Sequence, residues 1–275
     1  MSRENDKQIV KLQYSSQNNL NARQALHRDW STNKYGWEKW VYDHYNLKAG
    51  YKVIEFGCGN GGIWERNLER VPENVDILLT DMSEGMLEAA KKTMEGSNKE
   101  FSFKIMDVQE PDAVNNSYDR VIANHMLYHV PDRRKAISQI ARILKDDGVF
   151  VATTNSVNSM SGMKELVTDF SSKVNYNFYS VAEKFGMENG KEQLEEYFGL
   201  VERDVYEDSI HLTKAQPLID YVMSMEGHIN VHEVFTVEKL KEFKEYLEEI
   251  IKRDGSIEFP KRNGMFICRK PIRKD

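Results

Sequence analysis

The chain has 275 residues, of which 40% are hydrophobic and 30% are charged, and its formal net charge is −6. This length suits one large domain or two average ones, with enough residues for a substantial core. A content of 16 glycines and 6 prolines excludes a collagen-like or Pro/Gly-driven disordered chain. The negative charge disfavours a protein that neutralises nucleic acid phosphates, so no nucleic acid partner is expected.

The cysteines and the opening residues bear on location. The opening Met1–Lys7 is polar and no apolar run follows it, which predicts no secretory signal. No stretch approaches the ~18 apolar residues needed to span a bilayer. Cys58 and Cys268 are too few for a disulfide framework. We therefore expect a cytoplasmic protein without a membrane partner, and the sequence leaves its oligomeric state open.

Between Tyr51 and about Asn155, apolar strand-like runs alternate with amphipathic stretches, as in a parallel sheet with crossover helices. Helical spacing of apolar residues predicts helices over Ser83–Thr93 and Arg133–Leu144, and Gly148 follows the second as a stop signal. The predicted strands are Lys52–Phe56, Asp76–Thr80, Phe101–Met106, Tyr118–Ala123 and Gly148–Ala152.

The flanking segments are predicted to be largely helical. Residues 17–46 contain three of the four tryptophans and form a candidate apolar cover, and residues 158–198 are expected to hold two or three helices. After a possible strand over Val201–Leu212, a capping-box sequence at Thr213–Gln216 predicts a helix through Met225.

Thr236 is the predicted N-cap of a further helix that ends at Gly255. In the tail, Ile257–Phe259 and Met265–Cys268 around Asn263-Gly264 predict a β-hairpin. No linker divides the chain, so we expect a single domain over residues 1–275. Its core covers about 48–155, a helical insertion about 156–198, and C-terminal strands and helices about 199–270.

A glycine-rich loop follows the first predicted strand, with Gly57, Gly59 and two further glycines within six positions. Glycines at such a turn let the backbone approach a ligand closely. Asp81, at the end of the next strand, is placed to accept hydrogen bonds from ribose hydroxyls. The pattern fits a nucleotide site, although glycine-rich turns of this kind also occur for structural reasons alone.

The charges around this loop favour one class of nucleotide. Glu55 directs an anion at the loop, and no Arg or Lys lies between Gly57 and Glu65. A diphosphate would be repelled there, whereas a cofactor with an ammonium and a sulfonium would be attracted. The sequence therefore favours S-adenosylmethionine over NAD, and Glu55 paired with a neighbouring protein cation is the structural alternative.

The motifs resemble, in order and spacing, those of class I S-adenosylmethionine-dependent methyltransferases, and most closely the small-molecule branch. The resemblance covers about residues 48–155. It implies an α/β, doubly wound, mostly parallel seven-stranded sheet with a reversed last strand, here with a helical N-terminal cover and a helical insertion. The motifs are Glu55-Phe56-Gly57-Cys58-Gly59-Asn60-Gly61, Asp81-Met82-Ser83, Met106-Asp107-Val108 and Asp119-Arg120-Val121-Ile122-Ala123-Asn124-His125.

The resemblance also implies roles for individual residues in binding the cofactor. Those expected near its methionine part are Glu55, Gly57, Gly59, Asn60, Asn124 and His125. Those expected near its ribose and adenine are Asp81, Met82, Asp107 and Val108. Structural alternatives stay open: Met82 could merely begin a helix, Asp107 could form an Asx turn, and Cys58 is expected to be a small buried filler.

The reaction implied is displacement at an activated methyl, for which alignment and exclusion of water matter most. A general base is needed only if the acceptor loses a proton. The candidates are His125 and His129, with His129 as a backbone-bonded structural histidine the default. Their spacing would also suit two metal ligands, but no third ligand is evident and Pro131 limits the helix, so no metal is expected.

Asn124-His125-Met126-Leu127 replaces the Asn/Asp-Pro-Pro-aromatic motif of amino-methylating enzymes, which argues against methylation of DNA bases and favours a small acceptor. Three alternatives remain: an NAD-dependent oxidoreductase, a non-catalytic protein that keeps the cofactor fold, and a macromolecular methyltransferase with a basic patch seeded by Arg133-Arg134-Lys135. Aromatic residues that could line an acceptor pocket are Tyr14, Trp37, Phe170, Phe178, Tyr179 and Phe185.

Overall fold

The computed structural model describes residues 17–174, 181–225 and 230–273. A seven-stranded sheet with strand order β3-β2-β1-β4-β5-β7-β6 runs through it. The pairs from β3 to β5 are parallel, and β7 is antiparallel to both of its neighbours. The strands are β1 Lys52–Phe56, β2 Asp76–Asp81, β3 Phe101–Ile105, β4 Tyr118–Asn124, β5 Leu144–Asn155, β6 Phe198–Leu212 and β7 Ile257–Pro271. The predicted doubly wound sheet with a reversed last strand is confirmed.

Helices cover both faces of the sheet and its C-terminal end. Those in the first half are α1 Gln17–Trp30, α2 Trp37–Asp43, α3 Gly62–Glu65, α4 Glu84–Met94 and α5 Arg133–Ile143. Those in the second half are α6 Ser161–Phe170, α7 Val181–Lys184, α8 Gly190–Glu195, α9 Gln216–Met223, α10 Val231–Val234 and α11 Val237–Asp254. In its described residues, the insertion between β5 and β6 contains α6, α7 and α8, in agreement with the predicted two or three helices.

Strand β1 shows how the two faces of the sheet are built. Successive side chains of a strand point to opposite faces. Ile54 and Phe56 lie in the apolar cluster that packs against α5, and Val53 lies in the cluster that contains Trp64. Glu55 is two residues from Val53 and points to the same face of the sheet, so its carboxylate lies on the face that packs against Trp64. The alternation therefore places one buried acid at the end of an otherwise apolar strand.

The predicted hairpin in the tail is wrong. Residues 257–271 form the single strand β7, which pairs with β6 from Leu212↔Ile257 to Phe198↔Pro271. Neither Asn263 nor Gly264 has a positive φ, so there is no primed turn at this dipeptide. A Cβ on Gly264 would lie 2.4 Å from the Asp204 carbonyl oxygen, so the glycine serves close packing against β6.

Two other local predictions also fail. The capping box at Thr213 is not formed: α9 begins at Gln216, its N-cap is Ala215, and no side chain caps it. The segment 17–46 is largely helical as predicted, with α1 and α2 separated by residues that include a β-bridge between Ser31 and Ile210. Strand β5 begins at Leu144, so Gly148 lies inside an irregular strand and does not follow a turn.

The C-terminal helices form a second apolar core. Leu26 of α1 packs there with residues of α6, α9 and α11 and with Ile210 and Phe259 of the two last strands. Thr236 caps α11 by accepting from the Lys239 amide, and Gly255 ends it with φ 86°, both as predicted. The extent of the single domain and its division stay predictions. Within the described ranges, no helix is both long and apolar enough to cross a membrane.

Candidate active site

The glycine loop after β1 adopts a conformation that only glycine takes without strain. Gly57, Gly59 and Gly61 have φ of 67°, 57° and 76°. A Cβ on Gly57 would lie 2.9 Å from Cβ of Met126, whereas a Cβ on Gly59 would meet nothing within 4 Å. Because Gly59 also lines the cavity described below, its bare backbone leaves room for a ligand.

Glu55 is a buried carboxylate beneath this loop. It is 2% exposed, and it accepts hydrogen bonds from Nε1 of Trp64 at 2.5 Å and from Nδ2 of Asn124 at 2.7 Å. Asn124 also donates to the hydroxyl of Tyr45. Burial raises the pKa of Glu55 to about 7, although both hydrogen bonds oppose the rise. No protein cation pairs with this carboxylate among the described residues, so the structural alternative of an ion pair is not formed there.

Asp81 lies at the carboxyl end of β2, directly beside the loop. One oxygen accepts from the Gly59 amide at 3.0 Å and the other from the Ser83 amide at 2.8 Å. Burial raises the pKa of Asp81, and these backbone hydrogen bonds oppose the rise. The neighbouring Met82 is 48% exposed and lines the cavity, while Ser83 and not Met82 is the N-cap of α4.

Asp107, Val108 and Asn60 lie around the same cavity. Asp107 accepts from the backbone and side-chain nitrogens of Gln109, at 2.9 and 3.0 Å. This is the Asx turn that the sequence left open, and it orients the carboxylate without removing it from the cavity wall. Asn60 accepts from the Gly62 amide at the start of α3.

All of the predicted cofactor-binding residues, together with His125 and His129, line one cavity of about 960 Å³. This volume is at the upper end for small-molecule sites. Cys58 also lines it, and burial raises the pKa of its thiol, which disfavours a reactive thiolate. The sequence thus brings the predicted set together, and the role of each residue stays a prediction.

His125 occupies an unusual position at the end of β4. Its φ is 48°, and its amide donates to the carbonyl and the hydroxyl oxygens of Thr153, which hold this left-handed conformation. The imidazole lies 5.2 Å from the ring of Trp37, between centroids. Burial, and then the charge of Lys261, lowers the pKa of His125 to about 4, so the ring is neutral near pH 7.

His129 lies one turn further on, and its ring contacts Tyr128 at 4.6 Å between centroids. Its amide donates to the Met126 carbonyl. In the part of the chain that the structure describes, no three His, Cys, Asp or Glu side chains form a cluster that could hold a metal ion.

The basic run at the start of α5 is fully engaged. Arg133 donates to Gln193 and to the Val130 carbonyl, Arg134 pairs with Glu196, and Lys135 pairs with Glu110. These contacts leave no cluster of unpaired cations at the proposed seed of a basic patch.

The aromatic residues proposed for an acceptor pocket divide into three groups. Trp37 lines the cavity as predicted. Phe170 and Phe185 do not: Phe170 packs among Phe235 and Phe243, and Phe185 is buried in the main core. The apolar spacing that suggested them is core packing. Tyr14, Phe178 and Tyr179 lie outside the described residues.

Part of the cavity wall was missed from the sequence. His27 of α1, Tyr206 of β6, and Lys261 and Asn263 of β7 line the end of the cavity near Trp37. Period-2 alternation would have found Lys261, because Ile257, Phe259 and Lys261 are all buried on one side of β7. The prediction of a turn at Asn263 broke this pattern.

Comparisons with known proteins place the chain in a family. The model of a family described as a methyltransferase domain matches residues 47–204, which is more than half of the chain. The chain belongs to this family. The resemblance to class I S-adenosylmethionine-dependent methyltransferases, inferred from the sequence motifs, is therefore confirmed.

Relatives of this methyltransferase-family protein extend the comparison. It is 35% identical over 130 residues to a ubiquinone biosynthesis O-methyltransferase of Erwinia tasmaniensis, covering 46% of this chain and 52% of that protein. It is 30% identical over 115 residues to a demethylmenaquinone methyltransferase of Lactobacillus johnsonii, covering 41% and 47%. The chain thus spans about half the length of these relatives.

A solved structure of phosphoethanolamine N-methyltransferase 2 from Haemonchus contortus shares the fold at 15% identity, with a TM-score of 0.57. The similarity covers 99% of this chain and 61% of that one. At this identity the likeness concerns the fold alone.

Proposed function

We propose that this protein is an enzyme that transfers a methyl group from S-adenosylmethionine to a small-molecule acceptor. The observation that carries the proposal is the acidic half of the cavity. Three carboxylates, those of Glu55, Asp81 and Asp107, line it beside a loop of bare backbone. A cofactor with an ammonium, a ribose diol and an adenine presents donors to all three.

The residues present fit this cofactor. Glu55 has no protein cation beside it among the described residues and would bind the ammonium. Asp81 would accept hydrogen bonds from the ribose hydroxyls with its remaining lone pairs. Asp107 and the Val108 amide would meet the adenine, and Gly59 would let the methionine part approach the backbone. When bound, the cofactor supplies an activated methyl on a sulfonium. The chain aligns the acceptor beside His125 and keeps water out.

A dinucleotide fits the same loop poorly. The cavity wall from Glu55 to Trp64 contains no basic side chain, and the helix that follows the loop is only the four-residue α3. Arg66 also lines the cavity but pairs with Glu38, so neither the loop itself nor a long helix dipole supplies a charge to balance a diphosphate. This supports S-adenosylmethionine over NAD.

The rest of the cavity supports catalysis on a small acceptor. The cavity continues past His125 to Trp37, Tyr206 and Lys261. A binding module with a plugged acceptor site would lack this space. The two curated relatives are named for ubiquinone and demethylmenaquinone, which are small molecules. The paired cations of α5 weigh against a macromolecular acceptor.

The proposal is tested first by calorimetric titration with S-adenosylhomocysteine and, separately, with NADH. We expect S-adenosylhomocysteine to bind and NADH to bind more weakly or not at all, whereas tighter binding of NADH would overturn the proposal. Cell extract incubated with methyl-deuterated S-adenosylmethionine and the protein is then screened by mass spectrometry for labelled products. Failure to label any product, despite cofactor binding, would favour the non-catalytic alternative.

We also propose a cytoplasmic location. The thiols of Cys58 and Cys268 are both free, which suits a reducing compartment. Cell fractionation with an antibody against the protein tests this, and recovery outside the cytoplasmic fraction would contradict it.

A further inference from the structure

A buried ion pair lies at the end of the cavity opposite the acidic half. Lys261 and Asp208 are directly opposite residues of β7 and β6, with Nζ 2.9 Å from Oδ2. Their side chains are 4% and 0% exposed. Ser31, in the segment between α1 and α2, donates to the same Oδ2 at 2.8 Å and accepts from Nζ at 3.1 Å. The three side chains form a fixed cluster that ties the N-terminal cover to the last two strands.

The two charges of this pair face in different directions. Asp208 is turned away from the cavity, and its other oxygen accepts from the amides of Asn33 and Ser209. Lys261 lines the cavity, whereas Asp208 does not. An ammonium has three N–H groups, and among the described residues Asp208 and Ser31 take two of them. The remaining N–H is therefore available to a ligand.

Neutral imidazoles flank this ammonium. His27 is half-buried on the cavity wall, and its solvent-shielded Nδ1 has no hydrogen-bond partner within the described ranges. Burial, and then the charge of Lys261, lowers the pKa of His27 to about 3. Since His125 is neutral as well, each ring can offer an N–H to a ligand. The amide of Asn263 adds another polar group on the same wall.

The cavity is thus divided by charge. The carboxylates of Glu55, Asp81 and Asp107 lie in the half assigned above to the cofactor. In the other half, Lys261 is the buried cation of the wall, since the other basic residues that line the cavity are exposed: Arg28, Lys34, Lys39 and Arg66. The ammonium of Lys261 lies beside the flat rings of Trp37 and Tyr206, whose centroids are 5.4 Å apart. An uncompensated buried N–H is costly, so this half is built for a ligand oxygen.

We propose that the acceptor is an acid with a planar apolar body, and that its anionic oxygen is held by Lys261, with His27 as a second donor. This inference rests on the proposed function, since the same cavity must hold the cofactor. Lys261 is a specificity-determining residue in this scheme: it selects carboxylates or ionised hydroxyls over neutral and cationic compounds. The aromatic walls select a flat body, as stacking on Trp37 requires.

The test uses the full chain saturated with S-adenosylhomocysteine, titrated calorimetrically with benzoate and 2-naphthoate and with the corresponding neutral amides. We expect at least one acid to bind roughly tenfold or more tightly than its amide, as a charge-assisted hydrogen bond predicts. The double variant Lys261→Met with Asp208→Asn removes the pair without leaving an unpaired charge and should abolish this preference. His27→Phe should reduce it, and Lys252→Met on the exposed face of α11 should leave it unchanged.

The possible outcomes separate the two proposals. If S-adenosylhomocysteine does not bind, the proposed function fails. If it binds but neither acid binds more tightly than its amide, or if the preference survives the loss of Lys261 and Asp208, the acid-binding inference is overturned while the proposed function stands. Unchanged affinity of the double variant for S-adenosylhomocysteine shows that it is folded, and His27→Phe provides an independent test if it is not.

Discussion

The carboxylate of Glu55 should destabilise the folded protein when it ionises without a ligand. Its pKa is about 7 in the fold, against an ordinary value of 4.5. Folding therefore raises the affinity of this group for a proton. Its contribution to stability is fully present below pH 4.5 and is lost as the pH rises through 7.

The magnitude follows from 1.36 kcal/mol for each pH unit between the two pKa values. The full effect on the free energy of unfolding is about 3 kcal/mol, and most of it falls between roughly pH 5 and pH 8.5. Glu55→Gln removes the titration and leaves the shape of the side chain. Relative to this variant, the natural protein should lose about 2–3 kcal/mol over that range.

The assay is urea unfolding of both proteins at a series of pH values. The quantity compared is the difference between the two unfolding free energies, and only its change with pH is interpreted. A constant cost of the altered hydrogen bonds to Trp64 and Asn124 therefore cancels. Asp81 is present in both proteins, and its own titration cancels to first order. Glu249→Gln, on an exposed part of α11, is the matched control and should parallel the natural protein. Parallel curves for Glu55→Gln and the natural protein would refute the reasoning.

A cation bound beside Glu55 should offset the loss of stability that ionisation of this carboxylate causes. S-adenosylhomocysteine should bind more tightly as the pH rises from about 6 to about 8, because the carboxylate then ionises before the ligand arrives. Glu55→Gln should lose this pH dependence together with affinity. An unchanged dependence in the variant would mean that the ammonium is held elsewhere.

Three further variants probe the site. Asp81→Asn should weaken S-adenosylhomocysteine binding by about 1–3 kcal/mol in calorimetry, whereas exposed Asp112→Asn should not; equal affinities would remove the ribose assignment. Gly59→Ala and Gly96→Ala impose a similar cost on left-handed backbone, but only Gly59→Ala places a methyl in the cavity, so only it should lower affinity. His27→Phe should reduce the loss of stability in acid. In the natural protein, His27 takes up a proton more readily in the unfolded chain than in the fold, which lowers the free energy of unfolding by about 3 kcal/mol between roughly pH 7 and pH 4. Identical acid unfolding curves for the two proteins would contradict this.

The parallel half of the fold was predictable because its signals are local. Strand β1 has its predicted bounds, and β2, β3 and β4 differ from theirs by one residue. Strand β1 is an apolar run followed by Gly57, and β2 and β4 end in the polar residues Asp81 and Asn124 at the edge of the sheet. The cofactor side of the site follows from this, because the carboxyl ends of parallel strands meet at one edge.

The acceptor side could not be predicted in the same way, because its residues meet only through long-range pairing. Lys261 and Asp208 are 53 residues apart, and Ser31 is 230 residues from Lys261. The alternation along β7 indicates that Lys261 points inward, but nothing near it in the sequence indicates that it faces a cavity. The Asn263-Gly264 dipeptide has a strong local preference for a turn, but pairing with β6 on one side and β5 on the other holds it extended.

The position of β7 between β5 and β6 has a consequence for the order of assembly. In the sheet β6 has β7 as its one strand partner, although β6 is synthesised about sixty residues earlier. During synthesis the edge of β5 therefore stays unpaired until β7 has been made and inserted. Because Lys261 and Asn263 lie on β7, the wall proposed to hold the acceptor is absent until that strand is in place.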